Sequence, residues 1–505
     1  MMESSKSIAL EKSNEVESEN ENHSQLKLST NFSWWSLFGI SFGLTNSWLG
    51  ISSSLATGIS SGGPVLIVYG LVIGFVFNLA VAITLSELVS CFPNSGGQYY
   101  WTLNLAPARY RRFLSYSCGC LSYAGALFTN ASITSGLATS IMAIYDLCHP
   151  SFNLKRWHIF LTYELLNLLV SIFNIWYRFL PLLSSSALYV SMVAFVVTLV
   201  TCLACSSGDF QQADFVFKDF TNTTGWKNPG MGFIVGLVNP MWCFVGLDSA
   251  THMVDELGIS RSRILIPRAI LGTVVLGFIT AFSYSVSMFF CIRYQEEVVE
   301  ALLPILEIFH QSTKSKPAAI VLQCLCITTG FLCNVVANTW QARICWSFSR
   351  DNGLPGSKFW LVINNKSRLP INAHLVTNFW IGVIGCIFLG SSTAFNAIIT
   401  ACITLLLISY SIPTVCLLVH GRENVKKGPF WCGKLGWICN IMTIVWTLFC
   451  LIFLSFPYVI PVTRGSMNYV SVVYATIGLY IVIDWRVRKK TILCGNEDFP
   501  ASIQS

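Results

Sequence analysis

Runs of roughly twenty apolar residues, about the length a helix needs to cross the hydrocarbon of a bilayer, recur along this chain from position 34 to position 485. The pattern predicts an all-α integral membrane protein with twelve transmembrane helices, at 34–57, 64–90, 112–145, 158–178, 183–206, 228–254, 266–292, 317–347, 373–391, 394–419, 435–460 and 467–485. Three boundaries rest on helix breakers alone: Gly62-Gly63-Pro64, Pro181, and Gly390-Ser391-Ser392. The third and eighth runs exceed an upright span, which predicts tilt or extension past the hydrocarbon. Polar tails, 1–33 and 486–505, flank the membrane domain at 34–485, and the connecting loops are too short to hold a soluble domain.

Two runs are interrupted. Gly230–Leu257 is apolar enough to span, yet it carries Asn239-Pro240, then Phe244-Val245-Gly246-Leu247, then Asp248, His252, Asp255 and Glu256. A continuous helix has no use for Pro and Gly at its centre, and an intramembrane carboxylate is costly unless protein receives it. The run is either a discontinuous helix of the kind that holds solutes in secondary transporters, or a kinked helix with Asp248 and His252 at the cytoplasmic interface. The first span carries Thr45-Asn46-Ser47-Trp48-Leu49-Gly50, with Gly43 just before it. That stretch reads as an unwound segment or as a small-residue face for a neighbouring helix. Two breaks five spans apart predict a five-plus-five inverted repeat with discontinuous helices one and six: repeat one at 34–206, repeat two at 228–419, and two additional helices at 435–485.

Composition agrees: 53% of residues are hydrophobic, 11% are charged, and mean hydropathy is +0.61. The net charge of +7 is no nucleic-acid footprint, because it follows topology. With the amino terminus inside, nineteen Lys and Arg residues fall on the cytoplasmic side against eight outside, which predicts both termini in the cytosol. Nineteen cysteines lie mostly within the apolar runs, where they pack as small, weakly polar residues. None makes a metal-ligand spacing with histidine, and phosphate loops and serine–histidine–acid arrangements are missing, so neither an enzyme nor a cofactor is expected. Asn222-Thr223-Thr224, in the outer loop 207–227, matches a glycosylation acceptor; Asn31-Phe32-Ser33 matches it on the wrong side.

Polar residues of other spans are available to complete a pocket: Tyr123, Thr129, Asn130, Ser132 and Thr134 in the third, and Asn334, Asn338, Thr339, Trp340 and Arg343 in the eighth. Glu164 in the fourth reads as structural. Asp248 beside the second break, and Glu87, the turn Pro93–Gly97 and Arg350-Asp351 at cytoplasmic ends, are candidate coupling or gate groups, although helix capping also explains Arg350-Asp351. Aromatic faces at Trp48, Trp242 and Phe244, with Asp248 as a negative charge, suit a quaternary or related ammonium, each good contact being worth about 1–2 kcal/mol when desolvated.

The motifs SELVSCFPNSGGQYYW (86–101), FVGLDSATHMVDE (244–256), IPRAI (266–270) and SRDNGLP (349–355) resemble the fungal branch of the amino acid–polyamine–organocation superfamily, from about Phe32 to Trp485. Further stretches, among them GLTNSWLGISSSLATGISSGGP (43–64) and NTWQARICWSFSRDNGLP (338–355), carry the likeness toward its choline-transporting members. The resemblance implies the same inverted-repeat fold and secondary active transport of a small cationic or zwitterionic solute. It places substrate contacts on Asn46, Ser47, Trp48 and Gly50, on Trp242, Phe244, Gly246 and Asp248, and on Tyr123 and Asn130. Asn46-Ser47-Trp48 departs from the Gly-rich run with which amino-acid members receive a carboxylate. Choline or a related amine such as ethanolamine therefore ranks first, followed by amino acids or gamma-aminobutyrate, then thiamine. A nontransporting sensor is the alternative from another class. A proton is the expected coupling ion, and the plasma membrane the expected site ahead of internal membranes. Partners other than lipid, and the oligomeric state, are not specified.

Overall fold

A computed structural model describes residues 34–175, 180–364, 367 and 369–493. Residues 1–33, with Asn31, and 494–505, together with Arg178, Lys366 and Arg368, thus lie outside the described residues. Twelve helices carry the architecture: α1 (Trp34–Thr45), α2 (Ser47–Cys91), α3 (Arg111–Cys148), α4 (Arg156–Ile175), α5 (Leu180–Cys205), α6 (Pro229–Gly236), α7 (Ile259–Phe290), α8 (Lys316–Arg350), α9 (Ile371–Gly390), α10 (Ser392–His420), α11 (Gly433–Phe453) and α12 (Val470–Arg488). Among the described residues, ten helical stretches are long and apolar enough to cross a membrane. In hydrocarbon every backbone N–H and C=O must be satisfied within the segment, so an all-helical result follows directly from the apolar pattern.

The first of those stretches, Trp34–Cys91, is 58 residues long and is interrupted twice. It is left-handed at Asn46 (φ 34°, ψ 57°), and its path changes again at Gly62-Gly63, where Gly63 has φ 65° and ψ −153°. That second geometry is open to glycine and closed to residues with a Cβ. The expected division at 58–63 therefore falls at its carboxyl-terminal end.

The run expected at 228–254, read from the sequence as interrupted, is in pieces. α6 is followed by a short helix Val238–Trp242, an irregular stretch Cys243–Asp248, a 3-10 turn Ser249–Met253 and a last helical turn Val254–Leu257. Asn239-Pro240 is not the break: Pro240 lies in the first turn of its short helix, where a missing N–H costs nothing. The break comes instead at Gly246, with φ 80°, where a Cβ would lie 2.6 Å from Leu44 Cδ2. α7 starts at Ile259 rather than 266 and carries Pro267 inside it.

α2 packs along α7, and α3 packs against both α8 and α10. α4 and α5 turn rows of Leu and Val outward, among them Leu161, Leu165, Leu168, Val193 and Val196, as a lipid-facing surface requires. At one end Ser60 O accepts from Thr223 N at 2.9 Å, so the loop 207–227 covers the Gly62-Gly63 turn. In that loop Asn222 Nδ2, the atom a glycan would take, donates to Trp226 O at 3.0 Å. This geometry lends no support to modification there. Glu164 sits on the α4–α9 face, with its carboxylate 3.0 Å from where a Cβ on Gly382 would be, remote from both breaks.

Candidate substrate site

Asn46 holds a left-handed conformation that asparagine adopts more readily than most residues, and its side-chain amide is fixed from a distant helix. Its Oδ1 accepts from Ser191 Oγ at 2.9 Å, and that hydroxyl in turn accepts from Trp48 Nε1 at 2.9 Å. Ser47 Oγ donates to Cys243 O at 2.7 Å, tying the first break to the second. One turn further along, Asn239 Nδ2 donates to Ser54 Oγ at 2.6 Å. The two irregular segments are thus fastened to each other by side chains adjoining each break.

Beside this junction is a cavity of about 70 Å³. From α2 and the first break it takes Asn46, Leu49, Gly50 and Ser53, the i, i+3, i+4, i+7 stripe of one helix face. Trp242 and Val245 come from the second break, Thr129, Ser132 and Gly136 from α3, and Cys326, Gly330 and Cys333 from α8. None of the residues lining it is charged. Its polarity comes from the Asn46 amide and from hydroxyls such as Ser53, Thr129 and Ser132, while Trp242, half-buried, supplies its one aromatic ring.

Of the residues anticipated as substrate contacts, Asn46, Gly50 and Trp242 line this cavity, and the others lie elsewhere. Trp48 is fully buried on the opposite face of α2, with its ring 5.2 Å from Tyr284 and 6.0 Å from Phe195. One residue is 100° of helix, so a stripe that holds Asn46 and Gly50 turns Trp48 away. Phe244 packs against Gly74 of α2, and Gly246 against Leu44. Tyr123 borders a separate apolar crevice with Leu127, Phe379 and Tyr480. Asn130 belongs to a ladder between α3 and α8: its Nδ2 donates to Gln341 Oε1 at 2.5 Å, its Oδ1 accepts from Asn338 at 3.1 Å, and Asn334 donates to Thr134 at 2.9 Å. Ser53, Gly136 and Gly330 were not singled out from sequence. The stripe continuing from Asn46 was the available signal for Ser53; small residues on two unconnected helices gave none for the others.

Asp248 is fully buried and does not reach the cavity. Its carboxylate receives Gln98 Nε2 at 2.6 Å and Tyr410 OH at 2.8 Å, and lies 3.1 Å from His252 Nε2. This cluster opens a layer of polar contacts on the far side of the breaks from the loop 207–227. Ser95 Oγ donates to Asp255 at 2.6 Å, and Arg350 reaches the same carboxylate at 3.2 Å. Tyr99 OH donates to Asp351 at 2.9 Å, and buried Arg343 pairs with buried Glu256 at 2.6 Å. Glu87 is not part of this layer. Fully buried, it accepts both Arg422 terminal nitrogens, at 2.8 and 2.9 Å, together with Cys432 N at 2.7 Å, and so anchors the loop before α11.

Interrupted membrane helices fastened at their breaks, with a small uncharged cavity on one side and a polar seal on the other, define a secondary transporter. A family profile described as amino acid permease matches residues 32–478, and the chain belongs to that family, within the amino acid–polyamine–organocation superfamily; it is a transporter and not an enzyme. It is 48% identical over 468 residues to a choline transporter of Saccharomyces cerevisiae, covering 92% of this chain and 83% of that one. It is 42% identical over 528 residues to the 7-keto 8-aminopelargonic acid transporter of the same yeast, covering 93% and 94%. A swainsonine transporter of Arthroderma benhamiae is 35% identical over 463 residues, with 91% of each chain covered.

Proposed function

We propose that this protein is a proton-coupled permease importing choline or a related small amine such as ethanolamine. The observation that carries the reading is the lining of the cavity: one indole ring at Trp242, hydroxyls and an amide, and no charged group. A quaternary ammonium has no N–H to donate. It is best held by an aromatic face and weak dipoles. The likeness to a yeast choline transporter supports the same substrate class. A second reading, an amine that also carries a carboxylate, is favoured by the likeness to the 7-keto 8-aminopelargonic acid transporter. In that reading the Thr129 and Ser132 hydroxyls give up their bonds to Gly125 O and Phe128 O and donate to the carboxylate instead.

In this proposal the ten apolar stretches become twelve spans. Gly62-Gly63 separates two passes of the first stretch, and the pieces from Pro229 to Leu257 form another. The breaks at Asn46 and Cys243–Asp248 then open two inverted five-span repeats, and α11 and α12 are the added pair. Both termini face the cytosol, and the plasma membrane is the compartment. Asp248 serves coupling rather than substrate contact.

Radiolabelled choline uptake in a yeast strain lacking its own transporter, competed by ethanolamine, thiamine, gamma-aminobutyrate and 7-keto 8-aminopelargonic acid, tests the substrate class. Saturable choline uptake with strong competition by methylated amines is expected. Uptake of an aminated carboxylate with choline left outside selects the second reading.

A further inference from the structure

His252 is 2% exposed and Asp248 is fully buried, and their contacts permit a count of protons. His252 Nδ1 lies 2.8 Å from the backbone oxygen of Ser95, which can only accept, so Nδ1 carries a hydrogen. Its other nitrogen, Nε2, lies 3.1 Å from Asp248 Oδ2. That same oxygen already accepts from Gln98 Nε2 at 2.6 Å, and Oδ1 accepts from Tyr410 OH at 2.8 Å. With Asp248 ionised and His252 neutral, two lone pairs would face each other across 3.1 Å in a buried site. The link needs one proton more than that state contains. On Nε2 the proton makes an ion pair; on Oδ2 it makes two neutral groups joined by a hydrogen bond. The count is the same either way.

The surroundings leave that proton as the compensating charge. Asp255 has Arg350 at 3.2 Å and Glu256 has Arg343 at 2.6 Å, whereas no Lys or Arg pairs with Asp248 among the described residues. The other titratable groups near Asp248 are Tyr410, from α10, and Cys118, from α3. Asp351 takes its hydrogen bond from Tyr99. Ser95 contributes both the carbonyl under Nδ1 and the hydroxyl on Asp255, so a single turn, Pro93–Gly97, touches the histidine and the arginine-paired carboxylate together. A Cβ on Gly97 would lie 3.1 Å from His252 Cε1, so the turn sits directly on the ring.

We propose that Asp248 and His252 jointly hold the coupling proton while the Pro93–Gly97 turn is seated on them, and release it when that turn lifts. In the closed state one proton is shared between Oδ2 and Nε2. On opening, Asp248 becomes a hydrated carboxylate, His252 a neutral imidazole with hydrogen on Nδ1, and the proton passes to cytosolic water; no other bond changes. His252 is thus a positioning and proton-holding residue that never touches solute. The proposal rests on the proton-coupled reading above.

The test uses the full chain in proteoliposomes, comparing choline accumulation under an inward proton gradient with choline counterflow in the absence of one. A gradient of one pH unit supports roughly tenfold accumulation per proton carried. His252→Gln offers an amide that does not titrate, and its accumulation ratio is expected to fall toward one while counterflow falls far less. Asp248→Asn, whose amide stands in for the protonated acid, is expected to give the same split. Accumulation that survives in His252→Gln, or accumulation and counterflow lost in step in both variants although each remains folded, overturns the proposal. Wild-type accumulation indifferent to the proton gradient overturns both readings. A wild type that neither accumulates nor exchanges choline defeats the substrate reading, and the proton assignment is then decided without substrate, from 15N-histidine NMR of the wild type in nanodiscs. The resonance absent from His252→Gln is expected to report Nδ1 protonated throughout and Nε2 changing between acid and alkaline buffer; an unprotonated Nδ1 or a pH-independent Nε2 overturns it.

Discussion

Two tryptophans that look equivalent in the sequence have opposite surroundings, and replacing each should separate recognition from folding. Trp242→Ala removes the cavity's only ring and leaves the junction between the breaks intact, since Ser47–Cys243 and Asn239–Ser54 do not involve its side chain. A desolvated cation–π contact is worth about 1–2 kcal/mol, which corresponds to a loss in choline affinity of about 5- to 30-fold. Ethanolamine can donate N–H bonds to the hydroxyls and should lose less. Trp48→Phe retains a ring but deletes the Nε1 bond to Ser191, which also holds Asn46. A neutral buried hydrogen bond contributes about 1 kcal/mol, so the expected effect is lower thermal stability and fewer transporters at the surface, with the choline-to-ethanolamine preference unchanged. The assay is inhibition of labelled choline uptake by each amine, normalised to surface protein by a fluorescent tag. A Trp48→Phe protein that reaches the surface and loses choline selectively, alongside a Trp242→Ala protein that keeps it, would refute this placement of the two rings.

Further outcomes are expected elsewhere in the structure. Glu87→Gln leaves Arg422 in a buried site without its carboxylate; a cost of about 3 kcal/mol or more is expected, seen as a lower unfolding midpoint in detergent, and partly recovered in Glu87→Gln/Arg422→Gln. Gly246→Ala must hold a Cβ at φ 80° and within 2.6 Å of Leu44, so strain of about 1–2 kcal/mol at the second break should lower the uptake rate of correctly inserted protein. Asn130→Ala removes the rung to Gln341 and, at about 1 kcal/mol per such bond, should lower stability without changing which amines compete. A glycosylatable reporter inserted after Lys427, in the loop before α11, should remain unmodified, and its modification would reverse the proposed orientation of that loop.

The membrane architecture was legible one residue at a time, because lipid asks the same question of every segment. Apolar length, Gly62-Gly63 and the isolated Asn46 each act through their own backbone, so both interruptions of the first stretch were readable before any contact was known. The second break was located less well. Pro240 announces a helix start as readily as a helix end, and only the approach of Leu44 to Gly246 marks where the chain unwinds.

What the sequence by itself determined is a multi-pass helical membrane protein with two interrupted apolar stretches, since hydropathy and backbone preference are local properties. Which side chains look into the cavity was decided by tertiary structure. Trp48 and Gly50 are two residues apart and face opposite ways, and Asn130 met Gln341 and Asn338 of α8, which absorbed its polarity. The fate of Asp248 depended on three partners from distant or following positions, Gln98, Tyr410 and His252, of which only the last, one helical turn away, could be read from spacing. A buried charge takes its role from whatever surrounds it, and those surroundings exist only once the helices have packed.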